Sequence, residues 1–301
     1  MTLLQLRYAI TVADSRSMNQ AAQKLFISQP SLSAAIRELE DEVGIEIFRR
    51  TNRGIQVTPD GEEFIGYARQ VVEQYALIEA RYVDKEKVKK KFGVSMQHYS
   101  FAVQALVEVV RRFGMERYEF SIYETQTYDV IENVKNFRSE LGILYLNDFN
   151  RKVLEKIFEE NNLEFHELFD CQEYVYLWSG HPLAKKEVIS LENLEDYPFL
   201  SFDQGSNNSF YFAEEVFSTY EYKQSIKAND RATMLNLMRG LNGYTLCSGI
   251  ICEELNGEEY CAVKLSTEET MTIGYLKRKG IPLSSIGKEY LKEISKYNGQ
   301  A

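Results

Sequence analysis

Between Ser17 and Gly44 the chain has room for two helices and almost nothing between them. Ser17 is followed three residues later by Gln20, the spacing of a capping box in which each side chain satisfies a backbone donor of the other's turn. Ala21, Ala22 and Leu25 then give that helix a small-residue face suited to close approach. After a break at Phe26–Ser28, a further helix is expected from about Gln29 to Val43. Its Leu32, Ile36, Leu39 and Val43 are spaced by 4, 3 and 4, and Gly44 is a natural stop. Ahead of both, residues 2–14 place Leu3, Leu6, Ala9, Ile10 and Ala13 on one helical face. Helices joined by so short a break bury their apolar stripes against each other as a helix-turn-helix.

The second of these helices has an informative outer face. At 100° per residue, Pro30, Ser33, Ala34, Arg37 and Asp41 point away from the Leu32–Ile36 stripe. Ser, Arg and the Gln29 amide are side chains that hydrogen-bond base edges or phosphates, and a helix-turn-helix lays its second helix in the major groove. Ile45–Phe48 and Ile55–Thr58 then flank Arg49-Arg50-Thr51-Asn52-Arg53-Gly54, which predicts a hairpin wing with a basic tip suited to backbone or minor-groove contact. Thr58-Pro59-Asp60 opens a long helix: Thr58 caps, Pro59 takes the first turn, and Asp60, Glu62 and Glu63 suit the positive helix end. Phe64, Ala68, Val71, Tyr75, Ile78 and Tyr82 recur along it at 4-3-4-3-4, a heptad-like seam that calls for a partner helix. The run Lys85–Lys91 reads as a solvated hinge.

Charge supports this division. Of 35 basic and 45 acidic residues, seven and six fall within residues 1–58, leaving 28 against 39 for the rest. The net charge of −10 therefore belongs to the remainder, and three of the seven early cations cluster within Arg49–Arg53. Broad phosphate neutralisation, as in DNA packaging, is excluded by the acidic bulk. The 301 residues suggest about two domains at roughly 150 residues each. The longest apolar stretches fall short of a membrane span of about 20 residues, and the N-terminus shows no signal-peptide pattern. Cys171, Cys247, Cys252 and Cys261 form no CxxC pair, and His98, His166 and His181 are dispersed, so no metal site is expected and the thiols read as reduced in a cytoplasmic protein.

From Phe92 onward strands and helices alternate. Strands are expected at 92–96, 118–123, 141–146, 173–178, 199–202, 244–247 and 271–276, and helices at 101–113, 128–139, 151–160, 208–219, 231–239 and 284–296. That is an α/β pattern with a mostly parallel sheet. About 210 residues is large for one such sheet, so two subdomains are expected, with a ligand between them at the carboxyl ends of strands.

Ala21-Ala22-Gln23-Lys24-Leu25, Ser28-Gln29-Pro30-Ser31-Leu32-Ser33 through Leu39-Glu40, Gly44, Phe48-Arg49-Arg50 and Val57-Thr58-Pro59-Asp60-Gly61 together resemble the LysR-type transcriptional regulators. The dense match covers residues 1–61. The remainder resembles that family's effector domain in length, in strand–helix order and at His181-Pro182-Leu183-Ala184 and Gly240–Gly249. The resemblance implies an α/β chain with three parts: a winged helix-turn-helix (1–58), a linker or dimerisation helix and hinge (59–90), and an effector-binding domain (91–301) like periplasmic binding proteins. Subdomain I would span about 91–162 and 266–301, and subdomain II 163–265. It further implies a homodimer joined through the long helix, usually a dimer of dimers, acting on double-stranded promoter DNA under control of a small-molecule effector, without membrane, cofactor or catalytic residues.

Carried over residue by residue, Gln29, Pro30, Ser31, Ser33 and Arg37 match the family's recognition-helix surface, and Arg50 and Arg53 its wing. Ala34-Ala35 departs from the longer polar or basic residues of many members, which removes a base contact. The family's ligand loops correspond to Ser95, Gln97, His98, Tyr99 and Ser100 after one strand, to Thr125, Gln126 and Thr127 after another, and to the surroundings of Phe202 and Tyr244. A helix starts immediately after each of the first two loops, and helix N-termini bind carboxylates, which suits a carboxylate-bearing metabolite. Gln97–Val103 resembles a subgroup associated with amino-acid and sulfur-amino-acid supply. An α/β enzyme carrying an accessory helix-turn-helix is the alternative; against it, GxSxG, P-loop, HExxH and GxGxxG motifs are all missing.

Overall fold

The computed structural model describes residues 1–51, 54–82, 89–113, 117–252, 255 and 257–299, which form two compact units, Met1–Lys89 and Lys90–Ala301. In the first, α1 (Leu3–Ser15), α2 (Met18–Lys24) and α3 (Gln29–Val43) precede a hairpin of β1 (Phe48–Thr51) and β2 (Gly54–Val57), and α4 (Pro59–Tyr82) follows. Ala9, Val12, Ala21, Leu32, Ile36, Leu39, Ile47 and Ile65 make its core. The full capping box opens α1, through Thr2 and Gln5, and not α2, where Ser17 only accepts from the Gln20 amide.

The turn between α2 and α3 is closed by two backbone bonds, from Phe26 N–H to Gln23 O (3.2 Å) and from Ile27 N–H to Ala22 O (3.1 Å), the Schellman pattern. Phe26 occupies the left-handed position where glycine is usual, at φ 54. At the other end of α3, Glu40 Oε1 accepts from the Ile47 and Phe48 amides (2.8 and 2.9 Å) and fixes where the hairpin leaves the helix. Thr58 Oγ1 caps α4 by accepting from Gly61 N–H (2.9 Å). Gly61 is required there, because a Cβ would lie 2.3 Å from the Ile47 carbonyl oxygen.

The second unit holds β3 (Lys90–Met96), α5 (Ser100–Phe113), β4 (Tyr118–Glu124), α6 (Thr127–Lys135), β5 (Leu141–Leu146), α7 (Arg151–Glu160) and β6 (Leu163–Gln172). Next come β7 (Tyr174–Trp178), β8 (Val188–Ile189), α8 (Leu191–Leu194), β9 (Phe199–Phe202), β10 (Ser225–Ala228) and α9 (Arg231–Leu241). Last are β11 (Thr245–Cys247), β12 (Tyr260–Leu265), β13 (Thr270–Arg278) and α10 (Ser285–Ile294). One sheet has the order β4-β3-β5-β13-β6; another has β11-β7-β12-β8; β9 and β10 pair separately, with a bridge from Phe199 to Tyr244 beside β11. The sheets are mixed rather than mostly parallel: β3 pairs in parallel with β4 and β5, but β13 runs antiparallel to β5 and β6, and β7 antiparallel to β11 and β12.

The chain leaves the first sheet between β6 and β7 and returns between β12 and β13. Residues 163–172 therefore belong with the first sheet, which moves the expected subdomain boundary from 163 to about 173. The helix expected over Asn208–Thr219 is instead an irregular strap with one short 3-10 turn at Phe210–Phe212. Its consecutive buried residues Glu214, Glu215 and Val216 cannot share one helical face. No helix of the described residues is long and apolar enough to cross a membrane.

Candidate nucleic-acid interface and ligand cavity

Ser28 opens α3 by accepting from Ser31 N–H (3.2 Å), and its hydroxyl lies 2.7 Å from that of Ser31. One turn on, Gln29 Nε2 donates to Ser33 Oγ (2.7 Å). Pro30, Ser31, Ala34 and Arg37 are exposed on the same stretch, and Gln29 and Ser33 half-buried. The structure thus brings the five expected recognition-helix residues to the first turns of one helix, opposite buried Leu32, Ile36 and Leu39. Arg49, beside the wing tip, is ion-paired with Glu46 (2.8 Å). Arg53 and the side chain of Arg50 lie outside the described residues.

The seam on α4 divides in two. Phe64 and Ala68 pack into their own unit's core. Val71, Tyr75 and Ile78 are exposed, together with Tyr67 and Leu77. The Tyr82 side chain and most of the expected hinge lie outside the described residues.

In the second unit the loops expected to receive a ligand are largely occupied by the chain itself. Ser95 is fully buried, 2.7 Å from Ser139 Oγ and accepting from Asn133 Nδ2 (2.9 Å). Gln97 is consumed on both sides: its amide donates to Thr127 Oγ1 (2.6 Å), and its oxygen accepts from Tyr99 OH (2.8 Å) and the Tyr145 amide (3.1 Å). At the start of α6, Thr127 N–H donates to Gln204 Oε1 (3.0 Å) and Thr127 Oγ1 donates to Phe212 O (2.8 Å). Thr125 bonds Asp129 (3.2 Å), and the Gln126 amide lies against Gly205. Ahead of α5, Glu214 Oε2 accepts from the His98 amide (2.9 Å) and lies 2.7 Å from His98 Nδ1, while Glu214 Oε1 accepts from Gln204 Nε2 (3.0 Å). Gln204 therefore takes the first amide of α6, and Glu214 an amide two residues ahead of α5.

A cavity of about 70 Å3, partly open to the surface, lies beside these contacts. His98, Tyr99, Ser100 and Phe202 line it; Ser95, Gln97, Thr125, Gln126, Thr127 and Tyr244 do not. Tyr244 is buried against Phe199 and edges a separate cavity of about 100 Å3 with Tyr197, Tyr220 and Tyr222. Residues that the sequence did not single out complete the wall: Tyr176 on β7, Arg231, Met234 and Met238 on α9, Thr245 on β11, and Glu214 with Glu215 from the strap. The pairing that brings Tyr176 beside Thr245 spans about seventy residues of sequence, so no local pattern announces it.

Two further ties close the cleft. The His98 ring stacks on Phe202, with centroids 3.5 Å apart and planes 3° apart, which joins the loop after β3 to the end of β9. Arg231, at the first turn of α9, reaches Glu124 at the end of β4 (Nη2 to Oε1, 2.7 Å). Glu215 Oε1 accepts from Phe202 N–H (2.8 Å); burial, and then the neighbouring Glu214, hold its carboxyl well above the usual carboxylate range. Cys247 on the cavity wall is half-buried, and desolvation pushes its thiol up to about 12. Among the described residues no cluster of three His, Cys, Asp or Glu side chains is arranged to hold a metal ion.

Comparison with known proteins places this geometry. Residues 3–62 match the bacterial regulatory helix-turn-helix protein, lysR family, and residues 98–292 the LysR substrate binding domain. The chain is 29% identical over 255 residues to the Hca operon transcriptional activator HcaR of Escherichia coli K12, covering 83% of this chain and 82% of that protein. It is 22% identical over 294 residues to the DNA-binding transcriptional dual regulator OxyR of the same organism, covering 95% and 92%. Among solved structures, a full-length OxyR variant from Pseudomonas aeruginosa superposes with a TM-score of 0.68 at 22% identity, covering 98% of this chain and 94% of that one. These relatives are named as regulators of transcription, not as enzymes. The two matched regions lie within the two compact units and together span most of the sequence: the chain belongs to the LysR family of DNA-binding transcriptional regulators.

Proposed function

We propose that the chain is a ligand-responsive regulator of this family. In this reading Gln29, Pro30, Ser31, Ser33 and Arg37 meet promoter DNA, with Arg50 and Arg53 on the wing. The exposed apolar residues in the second half of α4 join two copies, and a small metabolite acts at the cavity beside α5 and α9. The observation that carries the reading is α3 itself: a capped helix whose first turns present Gln, Ser and Arg side chains outward while its Leu and Ile residues are buried. Ligand control would work by differential affinity: a molecule that prefers one arrangement of the two sheets shifts the population toward it, with a typical coupling of about 1–3 kcal/mol.

The geometry narrows what that molecule is. A carboxylate, including that of an amino acid or sulfur-amino-acid derivative, would meet Gln204 at the first amide of α6 and Glu214 at the His98 amide ahead of α5. Peroxide sensing, which the printed names of some relatives suggest, draws no support from three of this chain's four thiols. A reactive cysteine has a lowered pKa, whereas burial raises Cys171 and Cys247 to about 12 and also raises Cys261.

Selection of randomised duplexes with the full-length protein tests the regulator reading. A recurrent sequence should emerge, and Ser33→Ala should lose about 1 kcal/mol of preference for it while keeping its affinity for random DNA. Equal losses on both would remove Ser33 from base readout. Failure to enrich any sequence would overturn the reading.

A further inference from the structure

Every ionisable side chain on the cavity wall except Tyr176 has a partner inside the protein. Glu214 is answered by His98 and Gln204, Arg231 by Glu124, and Glu215 by the Phe202 amide. Tyr99 donates to Gln97, and the Cys247 sulfur accepts from the Gly249 amide. Two neutral groups differ. Tyr176 OH and Thr245 Oγ1 are buried and have no hydrogen-bond partner among the described residues; on the same wall Arg231 Nη2 is also buried without a hydrogen bond, its charge answered by the ion pair with Glu124 Oε1 at 2.7 Å. Tyr176 is 9% exposed and Thr245 5%. The two residues are directly paired across β7 and β11, which sets both side chains on one face of the sheet, and both line the cavity. Around them the wall is apolar: Met234, Met238, Leu246, Ile250 and Met271. Natural proteins rarely leave buried hydroxyls unmatched, and two on paired residues of a cavity wall point to a ligand group that matches them.

We propose that this cavity takes a small uncharged molecule, mostly apolar and carrying one carbonyl, amide or hydroxyl group, anchored on the hydroxyls of the paired residues Tyr176 and Thr245. The proposal rests on the reading of the cavity as the regulator's ligand site and names the class of ligand it accepts. A hydroxyl both donates and accepts, so either type of neutral group can be held. A carboxylate or ammonium would enter an apolar site whose charges are already compensated and would be left unpaired, so it should bind far more weakly. Size agrees with a compact ligand: an apolar cavity of about 150 Å3 holds benzene, so 70 Å3 encloses a polar head and a few further atoms, with the remainder reaching along the methionines.

Propionamide, propionate and propylammonium share a three-carbon skeleton and differ in charge, and Met234, Met238 and Met271 report from the cavity wall. The experiment titrates each probe at pH 7 into full-length protein labelled with methyl-13C methionine, its seven methionines assigned by substitution. Propionamide is expected to move the Met234 and Met238 methyl signals saturably, with propionate and propylammonium binding at least tenfold more weakly. Tyr176→Phe and Thr245→Val should each weaken propionamide about fivefold while the methyl spectrum of the free protein stays folded; two variants on separate strands guard against one failing to fold. Binding of either ion as tightly as propionamide at these methionines overturns the uncharged class and leaves the cavity reading intact. Unchanged propionamide affinity in both variants overturns the anchor. If no probe moves any of the three methyls, the proposal and the cavity reading fall together.

Discussion

Residues 28–43 and residues 203–224 each supply polar side chains to a candidate site, and they do so in opposite ways. In the first segment the bonds are local: Ser28 to Ser31 and Gln29 to Ser33, on a helix whose apolar spacing is regular. In the second they are distant: Glu214 reaches His98, Gln204 meets Thr127, and the Phe212 carbonyl accepts from Thr127. A helix face is set by a period of 3.6, so its outward residues follow from the sequence once its inward ones are known. A strap has no period. Its conformation is set by whatever backbone donors it covers, and those belong to loops about a hundred residues earlier.

The sharpest way to break this contrast is to disturb the orderly first unit through a contact that is not local. Gly61→Ala places a methyl group 2.3 Å from the Ile47 carbonyl, a clash with backbone that no rotamer relieves. The expected cost is about 3 kcal/mol, the upper end of ordinary overpacking. Amide hydrogen exchange over residues 3–82 should accelerate roughly a hundredfold while residues 90–299 keep their rates. Unchanged exchange would mean that the start of α4 is not seated on Ile47.

Glu214→Ala tests the strap in the same terms. Removing the carboxylate leaves the His98 amide, the His98 ring and the Gln204 amide without their acceptor. Bonds to charged groups are worth about 1.5–3 kcal/mol net, so a loss of about 2 kcal/mol is expected. Exchange at residues 97–99 and 126–128 should rise about thirtyfold, with α3 untouched. An effect confined to residue 214 would show that the strap is held elsewhere, by the Phe212 and Ala213 carbonyls that accept from Thr127 and Tyr145.

The same contrast explains what the sequence disclosed. The helix-turn-helix, the wing, the Thr58 cap and the strands at 141–146 and 199–202 rest on caps, spacings and apolar runs within a few residues of one another. The four cavity residues foreseen, His98, Tyr99, Ser100 and Phe202, sit at or beside ends of expected strands. The segment expected as a helix at 208–219 is the strap that reaches His98 and Thr127. Tyr176 and Thr245 were illegible because antiparallel pairing of distant strands makes them neighbours. The departure of β6 from the second sheet was hidden likewise, since its partner β13 lies about a hundred residues on.

Glu173 marks the point where the chain passes between the two sheets, and it adds a pH dependence to that region. It is 0% exposed, and neither carboxylate oxygen has a hydrogen-bond partner among the described residues. Burial, and then Glu269, hold its carboxyl well above the ordinary value of 4.5. An acid whose folded pKa is raised binds its proton more tightly in the native state. Its stabilising contribution is complete below pH 4.5 and is lost as pH climbs from there toward the folded value. Glu173→Gln stays neutral throughout, so the variant's gain in Tm over the wild type should grow as pH rises above 4.5. A constant difference across that range would show that Glu173 ionises without penalty.

The smallest expected effect lies where the first unit departs from its own local rules. Phe26 ends α2 at φ 54 with its ring 95% exposed. A left-handed backbone costs a non-glycine residue about 1–2 kcal/mol, and asparagine tolerates it better than most. The two closing bonds use backbone atoms only, so Phe26→Asn keeps them. It also avoids the extra unfolded-state freedom that glycine would introduce. A gain of about 0.5–1 kcal/mol is expected, seen as slower exchange at the amides of residues 21–27, with operator affinity unchanged. Loss of affinity alongside that gain would assign the exposed ring to the DNA side of the turn. The strained backbone would then persist because it presents that ring, and the most legible segment of the chain would carry one residue chosen for a contact beyond its own fold.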